Sequence, residues 1–220
     1  MKKLLAIILT LLLVLGLAAC GGSSEEPAEE STPETTAEAE TETPTDDAEE
    51  EGTEATEPET SEEGKTLVVY FSATGTTKGV AEKIAAITGA DIYEIEAAQE
   101  YTSDDLNYND PNSRTSMEQD DSDFRTEIGS DPVSLEGYTT VYIGYPIWWG
   151  EEPRIMDTFV ESYNFDGITM IPFCTSGSSG IGRSSEHLKT NAGTGNWLDG
   201  QRFSGSTTED ELREWIEGLQ

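Results

Sequence analysis

Residues 68–85 read VVYFSATGTTKGVAEKIA: an apolar run, a loop of small hydroxyl residues around one glycine, then a helical pattern. The run from Leu67 to Phe71 predicts a strand. Val80, Ile84 and Ile87 fall at i, i+4 and i+7, one face of a helix that ends near Gly89. Working outward, residues 91–95 (DIYEI) predict a second strand and residues 139–145 (TTVYIGY) a third, apolar enough to be buried on both sides. Pro153 opens a helix with Ile155, Met156, Phe159, Val160 and Tyr163 on one face. A fourth strand over 168–174, a helix over 181–191 and a weaker fifth strand over 197–203 follow. At the end, Thr208 and Glu211 form a capping box before the stripe Leu212, Trp215, Ile216, Leu219. Strand and helix alternating in this way predict an α/β fold, a doubly wound parallel sheet with helices on both faces. Ligands of such sheets bind at the C-terminal ends of the strands. The polar stretch 97–137, which includes NYNDPNSR at 107–114, is too long for a simple connection and is either functional or loosely ordered.

The folded part is only the last of three segments. Residues 1–20, MKKLLAIILTLLLVLGLAAC, have a basic start, an apolar core and small residues, the pattern of a signal peptide; the core is shorter than a membrane-spanning helix requires. Its ending, Leu17-Ala18-Ala19-Cys20-Gly21, resembles the lipobox of bacterial lipoprotein precursors. That resemblance implies a lipidated Cys20 at the mature N-terminus and an extracytoplasmic, membrane-anchored protein. Residues 21–64 hold eighteen Asp or Glu and no Lys or Arg, with little to bury, so they predict a disordered acidic linker, at full stretch about 150 Å long. Residues 65–220 then carry 27 acidic against ten basic side chains, a net charge near −17. Such a surface repels nucleic acid and suits neutral or cationic partners. With Cys20 lipidated, Cys174 has no partner, so the domain is held by packing and ligand and not by a disulfide.

Three loops follow strands one, three and four. In the first, Ser72, Thr74, Gly75, Thr76 and Thr77 bring hydroxyls and helix-start N–H groups together, a set suited to a terminal phosphate. The spacing of a triphosphate-binding loop is absent, and one glycine does not make a dinucleotide fingerprint. Alone, the loop also fits an ordinary strand-to-helix turn. The second loop, Pro146, Ile147, Trp148, Trp149 and Gly150, has two tryptophans positioned for a flat ring system, or for core packing or a partner surface. The third, Thr175, Ser176, Gly177, Ser178, Ser179 and Gly180, offers uncharged donors and acceptors.

Together SATGTT, GYPIWWG and FCTSGSSGIG resemble the flavodoxin family, and more closely its members with a P-I-W-W-G loop. The resemblance spans residues 66–220. It implies a five-stranded sheet of order 2-1-3-4-5 in a three-layer α/β/α fold, binding FMN at the strand switch. The first loop would hold the FMN phosphate, the second would border the isoalloxazine, and residues 175–180 would contact its polar edge. Two departures are visible. The third loop has no aromatic to stack on the flavin, and the long insertion follows strand two. A flavin face opened in this way suits hydride transfer, with Tyr101 or Tyr108 as its cover.

The resemblance implies an FMN-containing electron-transfer protein working with a redox partner protein or a small-molecule acceptor. An NAD(P)H-dependent FMN or quinone reductase on the same fold is the alternative, as is a binding module that has lost its flavin. No metal-ligand spacing and no nucleophile, base and orienter set are present, so redox chemistry would come from the cofactor. His187 reads as a surface or packing residue and Cys174 as a small core residue. Glu151 and Glu152 read as carboxylates of a helix's first turn, with a second reading in which they oppose charge on a reduced flavin.

Overall fold

The computed structural model of the chain describes residues 64–219. The signal peptide, Cys20 and all but the last residue of the acidic linker lie outside them. In chain order the elements are β1 (Lys65–Phe71), α1 (Thr76–Thr88), β2 (Asp91–Ile95), α2 (Arg114–Asp120), β3 (Tyr138–Pro146), α3 (Arg154–Glu161), β4 (Thr169–Thr175), α4 (Ser184–Ala192), β5 (Asn196–Trp197), β6 (Gln201–Phe203) and α5 (Glu209–Glu217). The sheet is parallel, in the order β2-β1-β3-β4-β5, with β6 also against β4.

Successive residues of a strand point to opposite faces, and here both faces are buried. Leu67, Val69, Val141, Ile143, Tyr145 and Met170 join α3 and α4 in one core; Val68, Tyr70, Tyr142, Ile171 and Phe173 join α1 and α5 in the other. This explains the unbroken apolar runs, and each buried large side chain contributes about 1.5 to 3 kcal/mol. Gly144 pairs in register with Phe173, and a Cβ at Gly144 would fall on the Phe173 ring, so the second core requires a glycine there.

The predicted fifth strand is divided, and its neighbour supplies the reason. Leu198 N–H donates to Met170 O at 2.9 Å, so β4 residues two apart from Met170 also direct their polar groups toward that edge. The next is Pro172, which has no N–H to donate. The break between β5 and β6 lies opposite it, at 198–200, where a Cβ on Gly200 would stand 3.1 Å from Pro172 Cβ and crowd Ile181 Cδ1. At the other end the capping box forms as its spacing predicts: Thr208 Oγ1 accepts from Glu211 N–H, and Glu211 accepts from Thr208 N–H.

One other expectation is corrected, and of the two readings of residues 97–137 that of loose order is set aside. Glu151 and Glu152 are not in the first turn of a helix, because Pro153 caps α3 and Arg154 begins it. The 97–137 segment is well ordered: Thr102 and Asp105 bond reciprocally, Thr115 Oγ1 donates to Asp105 O, and Ser113 caps α2. Tyr101, Ile128, Val133 and Leu135 fasten the segment onto the first core.

Candidate functional site

The three loops lie at the C-terminal ends of β1, β3 and β4, which are adjacent in the sheet. In the first, Gly75 adopts φ 82°, turning the chain into α1 without any side-chain cap. The first N–H groups of a helix have no intrahelical partner, and Gly79 N–H is the earliest with one, on Gly75 O at 3.0 Å. A Cβ at Gly75 would meet nothing within 4 Å, so the space before the helix start is open. Thr74 and Thr76 are exposed, with hydroxyls 3.4 Å apart, and Ser72 Oγ is buried without a hydrogen-bond partner. These neutral donors and the positive end of the helix dipole together fit an anion.

Thr77 and Thr175 organise the site more than they expose themselves to it. Both are buried, and their hydroxyls share a hydrogen bond of 2.8 Å that joins the first loop to the third. Thr175 O also accepts from Ile147 N–H at 2.9 Å, joining the third loop to the second. Arg202 of β6 holds the third loop from the other side, donating from Nε to Ser176 Oγ (3.1 Å) and from NH2 to Ser176 O (2.5 Å). Ser176 Oγ in turn donates to Ser179 O, and Gly177, Ser178 and Gly180 lie exposed. No sequence signal marks Arg202, because its role depends on β6 pairing with β4.

Beyond Pro146, which ends β3, the two tryptophans part company. Trp148 and Glu151 exchange backbone hydrogen bonds of 2.9 and 3.0 Å around Trp149 and Gly150, whose φ values are 50° and 88°. Two successive positive φ angles define the tight hairpin turn that normally holds Asn-Gly. Trp148 packs edge-on against Phe71 and Tyr101, with centroids 5.6 and 5.3 Å away, whereas Trp149 stays 49% exposed at the tip. A bulky residue at positive φ is strained by about 1 to 2 kcal/mol, a cost typical of functional turns. Tyr101 is fixed by its hydroxyl bond to Glu118 (2.6 Å) and by Arg114 stacked 4.0 Å over its ring; with Ser72 and Ala73 it lines a cavity of about 440 Å³. Tyr108 is exposed and does not line this cavity.

The residues after this turn enter a buried polar cluster. Glu152 and Asp157 are each 1% exposed, and burial pushes both carboxyls above their ordinary range, Glu152 to about 8. Asp157 and Glu151 raise Glu152 further, against the lowering effect of Arg154. His187 Nδ1 stands 3.6 Å from Glu152, Asn191 donates to Asp157 at 2.9 Å, and Gln119 donates to Glu152 O at 2.9 Å. Cys174 is buried, its thiol pushed up to about 12 by desolvation, which makes it inert. Among the described residues no cluster of His, Cys, Asp or Glu is arranged to hold a metal ion.

The sequence profile of the flavodoxins matches residues 65–219, well over half of the chain. The chain belongs to the flavodoxin family. Two solved structures similar to this flavodoxin, described as flavoproteins of Bacteroides uniformis and Bacteroides eggerthii, are each 45% identical to it. They cover 70% and 71% of the chain and 98% of their own length, with TM-scores of 0.67. A Lactobacillus acidophilus flavoprotein, crystallised in complex with FMN, is 25% identical over 70% of this chain and 99% of its own, with a TM-score of 0.52. No curated protein matches the chain.

Proposed function

We propose that this flavodoxin binds FMN across its three loops and transfers electrons outside the cytoplasm, anchored to the bacterial membrane by a lipid on Cys20. The observation that carries the flavin reading is the uncapped start of α1, where Ser72, Thr74, Thr76 and free helix N–H groups converge with no cation among them. Family membership and the FMN complex of a 25% identical relative support the same reading.

Ser72, Thr74, Gly75 and Thr76 would hold the phosphate, with Thr77 fixing the loop through Thr175. The segment 146–150 and residues 175–180 would border the ring system, the latter held in place by Arg202. When bound, the flavin supplies reversible one- and two-electron chemistry. The protein's own part is to position the ring and exclude water from one side; the three loops themselves contain no His, Cys, Lys, Asp or Glu. Electrons would pass to a redox partner protein or a small acceptor at the exposed side.

Replacing both Thr74 and Thr76 with Val should weaken FMN much more than riboflavin, since only the phosphate loses its donors. Each lost bond to a charged group costs about 1.5 to 3 kcal/mol. Fluorescence titration of both ligands checks this, and equal weakening would remove the phosphate from the loop. The anchor has its own test: Cys20→Ser should move the protein from the detergent phase to the aqueous phase, and continued retention would refute lipidation.

A further inference from the structure

We infer that residues 204–207, which follow β6, are a fourth wall of the anion site, and that Gly205 among them sets the position of the Thr76 hydroxyl. This rests on the reading that the first loop holds a phosphate.

β6 runs parallel to β4, so the chain leaves it at the same end of the sheet as the three loops. Residues 204–207 read SGST and carry no charge. A Cβ on Gly205 would stand 3.0 Å from Thr76 Cγ2, whereas carbon atoms in ordinary contact are about 3.5 to 4.0 Å apart. The φ of Gly205 is not positive, so no left-handed backbone requires glycine there. What a side chain at 205 would disturb is the close approach to Thr76.

Neither side of that contact is free to retreat. Ser204 N–H donates to Thr207 Oγ1 at 3.0 Å and Thr207 N–H to Ser204 O at 3.1 Å, closing a turn around Gly205 and Ser206. Lys83 of α1 donates from Nζ to Thr207 O at 2.7 Å, and Ser176 N–H donates to Phe203 O at 3.3 Å. The turn is thereby tied both to the helix that follows the first loop and to the third loop. Thr207 itself is buried. Across the contact, Thr76 is the first residue of α1. Its methyl and hydroxyl share one Cβ whose χ1 is restricted, so pressure on Cγ2 displaces Oγ1 as well. That hydroxyl stands 3.4 Å from Thr74 Oγ1, and the pair supplies two of the first loop's donors. Glycine at 205 leaves the pair its spacing, which makes Gly205 a positioning residue that acts through Thr76.

The full chain is titrated with FMN and riboflavin by fluorescence, and with inorganic phosphate through the amide resonances of Thr76 and Thr77. Gly205→Ala should weaken FMN and phosphate about tenfold, the scale of one impaired bond to a charged group, and leave riboflavin unchanged. Thr76→Ser keeps the hydroxyl and removes Cγ2, so adding it to Gly205→Ala should return both affinities to those of Thr76→Ser alone. Gly205 is exposed, so the alanine variant should fold, as its melting curve will check; the double variant, free of the contact, decides alone if it does not. The wall is overturned if Gly205→Ala binds FMN as tightly as the unmodified chain, if it weakens riboflavin equally, or if the double variant stays weaker than Thr76→Ser. A chain that ignores FMN but shows this pattern with phosphate ends the flavin reading and keeps the wall. A chain that binds neither ends both.

Discussion

At Glu152 a carboxyl group follows an exposed turn directly into the interior, where Asp157 and Glu151 oppose its ionisation and only Arg154 favours it among its close charges. Tyr145 of β3 and His187 of α4 complete its ionisable surroundings. In the unfolded chain the group ionises near 4.5; in the folded chain it holds its proton to about 8. Below 4.5 both states are protonated and the difference vanishes. As pH rises from 4.5 to 8 the unfolded chain releases its proton first, so the folded state loses stability across that window, with the full loss reached above 8. Asp157 acts in the same direction. Melting temperature should therefore fall between pH 5 and pH 8.5. Glu152→Gln should remove much of that slope and raise the melting temperature at pH 8.5 by several degrees, each 1 kcal/mol corresponding to about 2 to 4 °C in a domain this size. Scanning calorimetry across the pH range decides it, and an unchanged slope in the variant would assign the dependence to other groups.

Among the elements, β3 and β4 depend on each other through Gly144 and Phe173. Gly144→Ala places a methyl group on an aromatic ring in a filled core and should destabilise by about 1 to 3 kcal/mol. Phe173→Leu makes room, so the double variant should be less destabilised than the two single changes predict when added. Additive losses in urea melts would mean that the ring moves aside without cost. Much of this architecture is legible in the chain, because strands buried on both faces leave apolar runs and α1, α3 and α5 leave periodic stripes. The capping box at Thr208 and Glu211 is legible for the same local reason. What is hidden arises across strands or between distant segments. The division of the fifth strand follows from Pro172 in its neighbour, and Arg202 acquires its role from the pairing of β6 with β4. The order of 97–137 comes from Asp, Ser and Thr hydrogen bonds, which have no hydrophobic period. Glu152 is buried because α2 and α4 close over it, so its place just before α3 suggests a solvated carboxylate. The loops were readable as a set because all three follow strands, yet the opposite directions of Trp148 and Trp149 depend on a positive φ that tryptophan does not advertise.

For the whole molecule, charge sets the terms on which an anion approaches. The folded segment carries a net charge near −17, and residues 72–77, 146–150 and 175–180 include no Lys or Arg. On the reading proposed above, FMN would bring its phosphate through a repulsive field that reaches about 30 Å at 0.01 M salt and about 8 Å at 0.15 M. Its affinity should rise severalfold between those concentrations, while that of uncharged riboflavin stays constant. Affinity falling with salt, in the same fluorescence titration, would mean that a cation holds the phosphate. The borders of the sheet have a consequence of another kind. One edge is β5 and β6, of two and three residues, broken at 198–200; the other is β2, five residues beginning at Asp91 and carrying Glu94. A chain seeking to extend this sheet by pairing with it finds no uninterrupted row of backbone donors on the first side and carboxylates along the second. The proline that divides the fifth strand thus also guards against fibrous aggregation, in which copies would otherwise meet edge to edge.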